Sequence, residues 1–536
     1  MPGAIIHWSD KVRLATVKMW SSWFPSRELT HKAFQRLVGP TLILITIWGL
    51  FLRIYYGGVQ SFWIDESFSV NAAIGIMQDG TPHLASGVSY WRGALHTYPM
   101  SLFMWLGSHT EFSARLPSML LGTATIPVVF FIGQRVAGTA VGLAAAALIA
   151  FADIEIAWSR QARMYQQLQF FTMLSLYGYM RAFVTPSARS VLLTVLAICG
   201  AIASHILGFL IPIILGLHFV IVRLSQVRRL KDILSLSQPH YLIIGIIAFI
   251  GVYVSASAEE AVSGIGGYSV NYMIAYLRYL QIAFPLVLYL GTVGLLIWLR
   301  YRTLESVLML LAMIVPMYLL SFHVKLLHYR YLYMVMPVLF VGLPVALSVL
   351  PELLRLSTYS WVRPTIVIIG TLLALTSGSF TLAPKINYYL DPLSPQPNFK
   401  TAYSVVSAGL QVDDVIVDSW PSIGQLYLPR PADYWPVFSL SGMDKNHCPL
   451  AEGEREIYGN ALCLHSAASL KEVVDDHARG WMIVDPTAWH KLPQPTRTYI
   501  SNNLTLLEYG TQFRPLADVR VYTWKSAQSA QPQQTH

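Results

Sequence analysis

Charge is scarce in this sequence. Only 12% of its 536 residues are Asp, Glu, Lys or Arg, while 54% are hydrophobic and the mean hydropathy is +0.49. A soluble domain carries about 25% charged residues, so the shortage excludes a chain that faces water along most of its length. Phosphate-loop, dinucleotide-fingerprint and Ser-His-Asp signatures are all missing. No run of residues has metal-ligand spacing, and no internal repeat is visible. The first apolar run lacks a small-residue cleavage site, which argues against a cleavable signal peptide. Cysteine is sparse, with Cys199, Cys448 and Cys463 only.

What is present is a succession of long apolar runs. A bilayer core of roughly 30 Å needs about 20 apolar helical residues. Eleven spans are expected, at about 38–56, 115–134, 139–157, 164–183, 190–206, 208–224, 240–256, 283–299, 304–322, 331–350 and 364–382. The segment 97–107 is apolar but too short to cross, and is expected to lie along the membrane surface. The net charge of +9 is scattered through the gaps between runs, unlike the clustered basic face of a nucleic-acid binder. With the N-terminus in the cytoplasm, eleven spans put Arg135, Arg181, Arg189, the cluster Arg223/Arg228/Arg229/Lys231, Arg300, Arg302, Arg355 and Arg363 on one side, as the positive-inside rule expects. Residues 1–37 then form a basic cytoplasmic tail, 38–382 a membrane module with a first outer loop at 57–114, and 383–536 an extracytoplasmic soluble α/β domain. The fold class expected is an all-α polytopic membrane bundle carrying that domain. Cys448 and Cys463 fall where a disulfide is chemically allowed, with two free thiols the alternative, and Cys199 is expected to pack inside a span.

This topology brings several polar segments to one outer rim. Asp65 and Glu66 follow Phe62 and Trp63 and precede the surface segment. A carboxylate pressed against the bilayer there is expected to have a raised pKa and to serve as a base, with ordinary solvated acids as the plain reading. Arg160 and Arg163, three apart, are expected to share a helix face. They either pair with Asp153, Glu155 or Asp65, or clamp a phosphate with their planar forks. Lys325, His328 and Arg330 put positive charge against the topological bias, which suits a lipid headgroup or, with the two arginines, a phosphate pocket. His205 ends a span on the same side and reads as a packing residue or a ligand. The acids and His205 offer oxygen and nitrogen donors, so a divalent metal stays open.

The order and spacing of these pieces resemble the GT-C superfamily of polytopic glycosyltransferases, in particular bacterial members related to protein O-mannosyltransferases and the lipid A aminoarabinose transferase. The resemblance rests on Asp65-Glu66, Tyr98-Pro99, Ala114-Arg115-Leu116-Pro117-Ser118, Ser159-Arg160-Gln161-Ala162-Arg163-Met164-Tyr165, Ser204-His205 and Arg330-Tyr331, and covers roughly 38–382. It implies transfer of a sugar from a polyprenyl (dolichyl or undecaprenyl) phosphate to a protein, lipid or glycan acceptor at the extracytoplasmic face, with inversion. Nucleotide sugars are cytoplasmic, which also favours a lipid-carried donor for a site on the outer side. On the same basis Asp65 is the base and Glu66 orients it or the acceptor. Arg160, Arg163, Lys325 and Arg330 neutralise the leaving phosphate, and Tyr165, His205, His328 and Tyr331 are candidate substrate contacts. No metal ligand carries over. The expected setting is a bacterial cytoplasmic membrane, with its lipids as partners and no nucleic acid. A transporter or flippase of anionic lipids is the alternative; few mid-membrane charges and no paired broken helices count against it.

Overall fold

The structure is a computed structural model that describes residues 27–184, 187–226, 271–301, 303–323, 327–354, 361–386, 397–437, 448, 455–507 and 519–525. The expected span 240–256 and Lys325 lie outside the described residues. The chain is mostly helical. Its membrane part runs α1 (Arg27–Ile54), α2 (Ile64–Asp79), α3 (Ala94–Gly107), α4 (Glu111–Ala137), α5 (Thr139–Phe151), α6 (Asp153–Ser159), α7 (Tyr165–Val184), α8 (Ala188–Ser204), α9 (Leu210–Gln226), α10 (Met273–Ala283), α11 (Pro285–Trp298), α12 (Thr303–Phe322), α13 (Met336–Leu353) and α14 (Val362–Leu375).

Among the described residues, four segments are long and apolar enough to cross a membrane: Gln35–Ile54, Glu111–Ala137, Leu304–Phe322 and Tyr329–Leu353. The pair α10–α11, bent by 111° where Pro285 removes a backbone donor, is a fifth if taken as one span. This makes an integral membrane protein. Length and composition do not reach eleven. Helices α5, α8 and α14 have 13, 17 and 14 residues, short of the ~20 needed to span a bilayer. Helix α7 is long enough, but its first turns carry Gln166, Gln167 and Gln169 on buried faces.

Exposure separates the helices by role. On α1, Ile43, Leu44, Ile47 and Trp48 are exposed, an apolar face left for lipid. Helix α13 is buried on nearly every side and forms the centre of the bundle. It packs on α11 through Gly291, Gly294 and Gly342, where a β-carbon on Gly291 would come 2.8 Å from the Leu339 carbonyl. Small residues at that crossing let the backbones close up, which is how helices associate where lipid offers no hydrophobic drive. Cys199 is exposed on the outer face of α8, so the expected packing role does not hold. The rise of a helix carries that side chain outward beside Leu192 and Leu196, away from the core.

The expected surface segment is α3. His96, Thr97, Met100, Ser101 and Met104 are buried, while Leu95, Tyr98, Leu102 and Trp105 are exposed. Apolar side chains at spacings of three and four on the outward face give it one greasy side.

The C-terminal residues form a six-stranded mixed sheet: β1 (Val415–Asp418), β2 (Tyr434–Pro436), β3 (Leu462–Leu464), β4 (Arg479–Val484), β5 (Thr505–Leu506) and β6 (Arg520–Lys525). The strand order is β3-β2-β1-β4-β6-β5, parallel from β3 to β4 and antiparallel beyond. Every residue of β1 is buried, as a parallel strand covered on both faces must be. Five helices join the strands: α15 (Phe399–Gly409), α16 (Pro421–Tyr427), α17 (Ala467–Asp476), α18 (Pro486–Lys491) and α19 (Gln494–Asn503). Cys448 and Cys463 are joined by a disulfide.

This sheet region clasps residues 57–114. Tyr427 Oη accepts from the Phe62 amide at 2.8 Å and donates to Glu111 at 2.8 Å, and Lys400 pairs with Glu111 at 2.9 Å. The Ser67 hydroxyl donates to Ser422 Oγ at 2.9 Å, and the Asn71 amide donates to the Ser422 carbonyl at 2.8 Å. Phe68 stacks on Tyr458 with centroids 4.0 Å apart.

Candidate active site

The site is organised by a non-helical turn at 160–164, between α6 and α7. Its backbone is pinned from three sides. The Ala162 amide donates to Glu66 at 2.7 Å, the Ser118 hydroxyl donates to the Arg163 carbonyl at 3.3 Å, and Gly93, at φ +72°, presses on Met164. Because the helix breaks here, Arg160 and Arg163 do not share a face. They diverge.

Arg160 turns back to the C-terminal end of α1. Its guanidinium donates to the Leu52 carbonyl at 2.6 Å, the Arg53 carbonyl at 3.3 Å, the Tyr55 carbonyl, and the Lys385 carbonyl at 2.9 Å. A helix end leaves its last carbonyls without internal partners, and this cation answers them. The expected phosphate clamp at Arg160 is therefore set aside.

Glu66 is likewise consumed. Its Oε1 accepts from Arg115 Nε at 2.8 Å and from the Ala162 amide at 2.7 Å. Its Oε2 accepts from Arg115 Nη2 at 2.9 Å and from the Trp63 amide at 2.9 Å. Arg115 also donates to the Gly57, Gln60 and Ser61 carbonyls. Both side chains are buried. A carboxylate with two donors on each oxygen has little left for a substrate, so Glu66 holds α2, α4 and the turn together. The expected role in orienting an acceptor gives way to that of a buried clamp.

Asp65 differs from its neighbour. It leads the first turn of α2 and keeps 21% of its side chain exposed. One oxygen meets Arg330 Nη1, while Arg163 Nη1 donates to the Asp65 carbonyl at 2.8 Å, to Ser69 Oγ at 2.8 Å and to Tyr90 Oη at 3.2 Å. Burial pushes the carboxyl pKa up, but the charges of Arg163, Arg330 and Arg92 and the Arg330 hydrogen bond prevail and hold it below the usual carboxylate value. The raised pKa expected from the sequence is thus reversed. Desolvation came with cations that the loop acids could not reveal.

Rings close the pocket. The Arg330 guanidinium lies 5.5 Å from the Tyr165 ring centre and 5.8 Å from that of Tyr331. His205 packs against Tyr165 at 5.1 Å and Tyr331 at 6.4 Å, and His328 meets Tyr331 at 5.4 Å. His205 Nδ1 accepts from the Leu207 amide at 3.1 Å. An Nδ1 that accepts carries no hydrogen, so the ring is neutral. The proton is thereby assigned to Nε2. Burial and Arg330 push His328 down to about 4.

Four buried donors here have no partner among the described residues: Arg163 Nε, Arg330 Nε, Tyr165 Oη and His205 Nε2. Leaving a buried donor unanswered costs about 1–3 kcal/mol, and these four gather near one carboxylate.

Arg92 was missed from the sequence. Its field reaches Asp65, His205 and His328, and the only local signal is the adjacent Gly93, whose backbone at φ +72° lies close to Met164. Tyr90 and Ser69 were missed for the same reason, since they matter only through Arg163. Asp153 pairs with Lys385 at 2.9 Å, and Glu155 lies behind the turn against Tyr333 and Gln169. Among the described residues no three His, Cys, Asp or Glu side chains gather in a group that could hold a metal ion.

With this geometry in place, comparison with known proteins is informative. A family model described as dolichyl-phosphate-mannose-protein mannosyltransferase matches residues 92–255. No curated protein matches the sequence significantly. The structure is similar to ArnT from Cupriavidus metallidurans bound to undecaprenyl phosphate, at 14% identity, covering 92% of this chain and 99% of that one, with a TM-score of 0.57. It is also similar to the oligosaccharyltransferase AglB from Archaeoglobus fulgidus in complex with an inhibitory peptide and a dolichol-phosphate, at 13% identity over 93% of this chain and 75% of that one, with a TM-score of 0.50. At such identities the likeness is one of fold. The chain has the GT-C fold of polytopic membrane glycosyltransferases.

Proposed function

We propose that the protein transfers a sugar from a polyprenyl phosphate donor to an acceptor hydroxyl at the extracytoplasmic face of the membrane. The observation that carries this reading is the set of four unanswered donors around Asp65. Guanidinium, imidazole and phenol donors gathered near one carboxylate match the oxygens of a phosphate. The solved structures with this fold that are bound to undecaprenyl phosphate and to dolichol-phosphate support the same donor class.

Asp65 is the base in this mechanism. It takes the proton from the acceptor hydroxyl while that oxygen attacks the anomeric carbon. The bond from that carbon to the phosphate oxygen breaks, and lipid phosphate leaves with the electron pair. A single displacement inverts the centre. Arg163, Arg330, His205 and Tyr165 stabilise the charge that grows on the phosphate, the term that usually dominates such sites. The ion pair of Asp65 with Arg330 belongs to the donor-free protein. A donor phosphate draws Arg330 away, so the Asp65 pKa rises only when substrate is in place. Lys325 joins the phosphate ligands in this proposal, and Tyr331 and His328 form the wall behind them.

The orientation follows the sequence reading: N-terminus in the cytoplasm, eleven spans, residues 383–536 outside, in a bacterial cytoplasmic membrane. The test is transfer of labelled sugar from a polyprenyl phosphate by the purified full chain in proteoliposomes supplied with an envelope extract. The Asp65→Asn protein should bind undecaprenyl phosphate and transfer nothing. Full transfer by that variant would remove Asp65 from the mechanism.

A further inference from the structure

A second cavity lies between residues 57–114 and the C-terminal sheet region. It is a cleft of about 520 Å³, within the ~300–1,000 Å³ typical of small-molecule sites. Helix α2 forms one wall with Asn71 and Gln78, the following loop adds His83, and the C-terminal region supplies Gln425, Arg455 and Asn460. Along α2, at ~1.5 Å per residue, Asn71 stands about 9 Å from Asp65 and Gln78 about 20 Å. The stacked pair of Phe68 and Tyr458 stands between them, with Phe68 one turn past Asp65.

The lining chemistry is specific. Asn71, Gln78, Gln425 and Asn460 all carry amides, which both donate and accept. Asn71 and Gln425 are braced by donating to the Ser422 and Gly459 carbonyls, at 2.8 and 2.9 Å, which leaves their amide oxygens toward other donors. Gln78 and Asn460 are exposed. No carboxylate lines the cleft. Arg455 is its one permanent cation, with one arm tied to the Asn460 carbonyl at 2.8 Å, and His83 is engaged by Asp79 at 3.2 Å. The outer strands β3 and β5 do not line it, so an extended peptide finds no strand edge there.

We propose that this cleft is the acceptor subsite and that its occupant is a neutral, hydroxyl-rich glycan. A hydroxyl both donates and accepts, as an amide does, so a wall of amides satisfies a sugar without committing to charge. The stacked Phe68 and Tyr458 rings stand beside Asn71 and Gly459, which line the cleft, and do not line it themselves. An anionic acceptor would have only Arg455 to meet its charge, and one arm of that guanidinium is already tied to the Asn460 carbonyl. The direction of binding, reducing or non-reducing end toward Asp65, rests on the transferase reading; the existence of the cleft site does not.

The experiment uses the full chain in nanodiscs on an array of neutral oligosaccharides, the same glycans bearing uronate or phosphate, and unglycosylated peptides. Saturable binding to neutral oligosaccharides is expected. Ala85→Trp, which fills the cleft from an exposed loop position, should weaken it more than tenfold. Gln78→Ala should weaken it severalfold, the scale of one lost hydrogen bond. Both variants should melt like the parent and keep its affinity for undecaprenyl phosphate, and Asp65→Asn should keep glycan binding. Preference for peptides or anionic glycans, absence of glycan binding, or glycan binding that survives Ala85→Trp overturns the proposal. Glycan binding without undecaprenyl phosphate binding would leave the cleft standing and defeat the donor reading; the reverse result would do the opposite.

Discussion

Two polar clusters stand back to back at the turn 160–164, and they differ in one respect. Behind the turn, Arg53 donates to Ser159 and to the Gly49, Ile149 and Ala150 carbonyls, while Glu155 accepts from Gln169 and Tyr333. Glu66 and Arg115 are answered in the same way. In front of the turn, four buried donors around Asp65 stay open. Both clusters are buried, charged and rich in arginine. Burial of charge therefore does not set the proposed site apart; incomplete pairing does.

The comparison breaks first at Asp65. Asp65→Asn should cut transfer by about 10²–10⁴-fold, the usual share of a general base, while undecaprenyl phosphate binds at least as tightly because Arg330 loses its competitor. A modest loss of rate with weakened donor binding would place Asp65 in the closed class. Glu66→Ala should act through the fold, costing about 3–5 kcal/mol as Arg115 is left buried without its partner. Denaturation in mild detergent reads this directly, and an unchanged midpoint would mean the clamp bears no weight.

The two arginines sharpen the contrast. Arg330→Ala should weaken undecaprenyl phosphate binding about 10–100-fold, the worth of a charge-assisted bond. Arg160→Ala should leave that affinity alone and lower the melting temperature, so equal losses of affinity would undo the assignment. The pH dependence follows from the depressed Asp65 pKa. Its ionisation contributes stability that is present above the ordinary carboxylate value of ~3.9 and is lost as pH falls through the lower folded value. The acid limb of kcat/KM set by Asp65 should therefore lie below ordinary carboxylate titration, and Arg330→Ala should move it upward. The smallest expected effect is Tyr333→Phe, about 1 kcal/mol of stability with donor affinity intact.

The sequence made the bundle legible through its long apolar runs, and the polar rim through topology. It located Asp65, Arg163, His205 and Arg330, which the fold brings together. It misassigned Arg160 and Glu66 because spacing is blind to what backbone carbonyls and distant amides will claim. Arg160 is taken by the end of α1, and Glu66 by Arg115 about fifty residues on. Arg92 escaped notice because nothing beside it in the sequence shows that its charge reaches Asp65 and His205. Four of the expected spans, or five with the bent pair, appear among the described residues as helices long and apolar enough to cross. Helices α5, α8 and α14 are apolar yet short, and a window of hydropathy does not see where a helix stops.

The grip of Tyr427 on Phe62 and Glu111 has a practical consequence. The segment bearing Asp65, the proposed base, is moulded jointly by two distant stretches of the gene. Anyone grafting a foreign tail onto this bundle to redirect its product inherits a mismatch at that seam. The transplantable cassette is the tail together with residues 57–114, moved as a matched set.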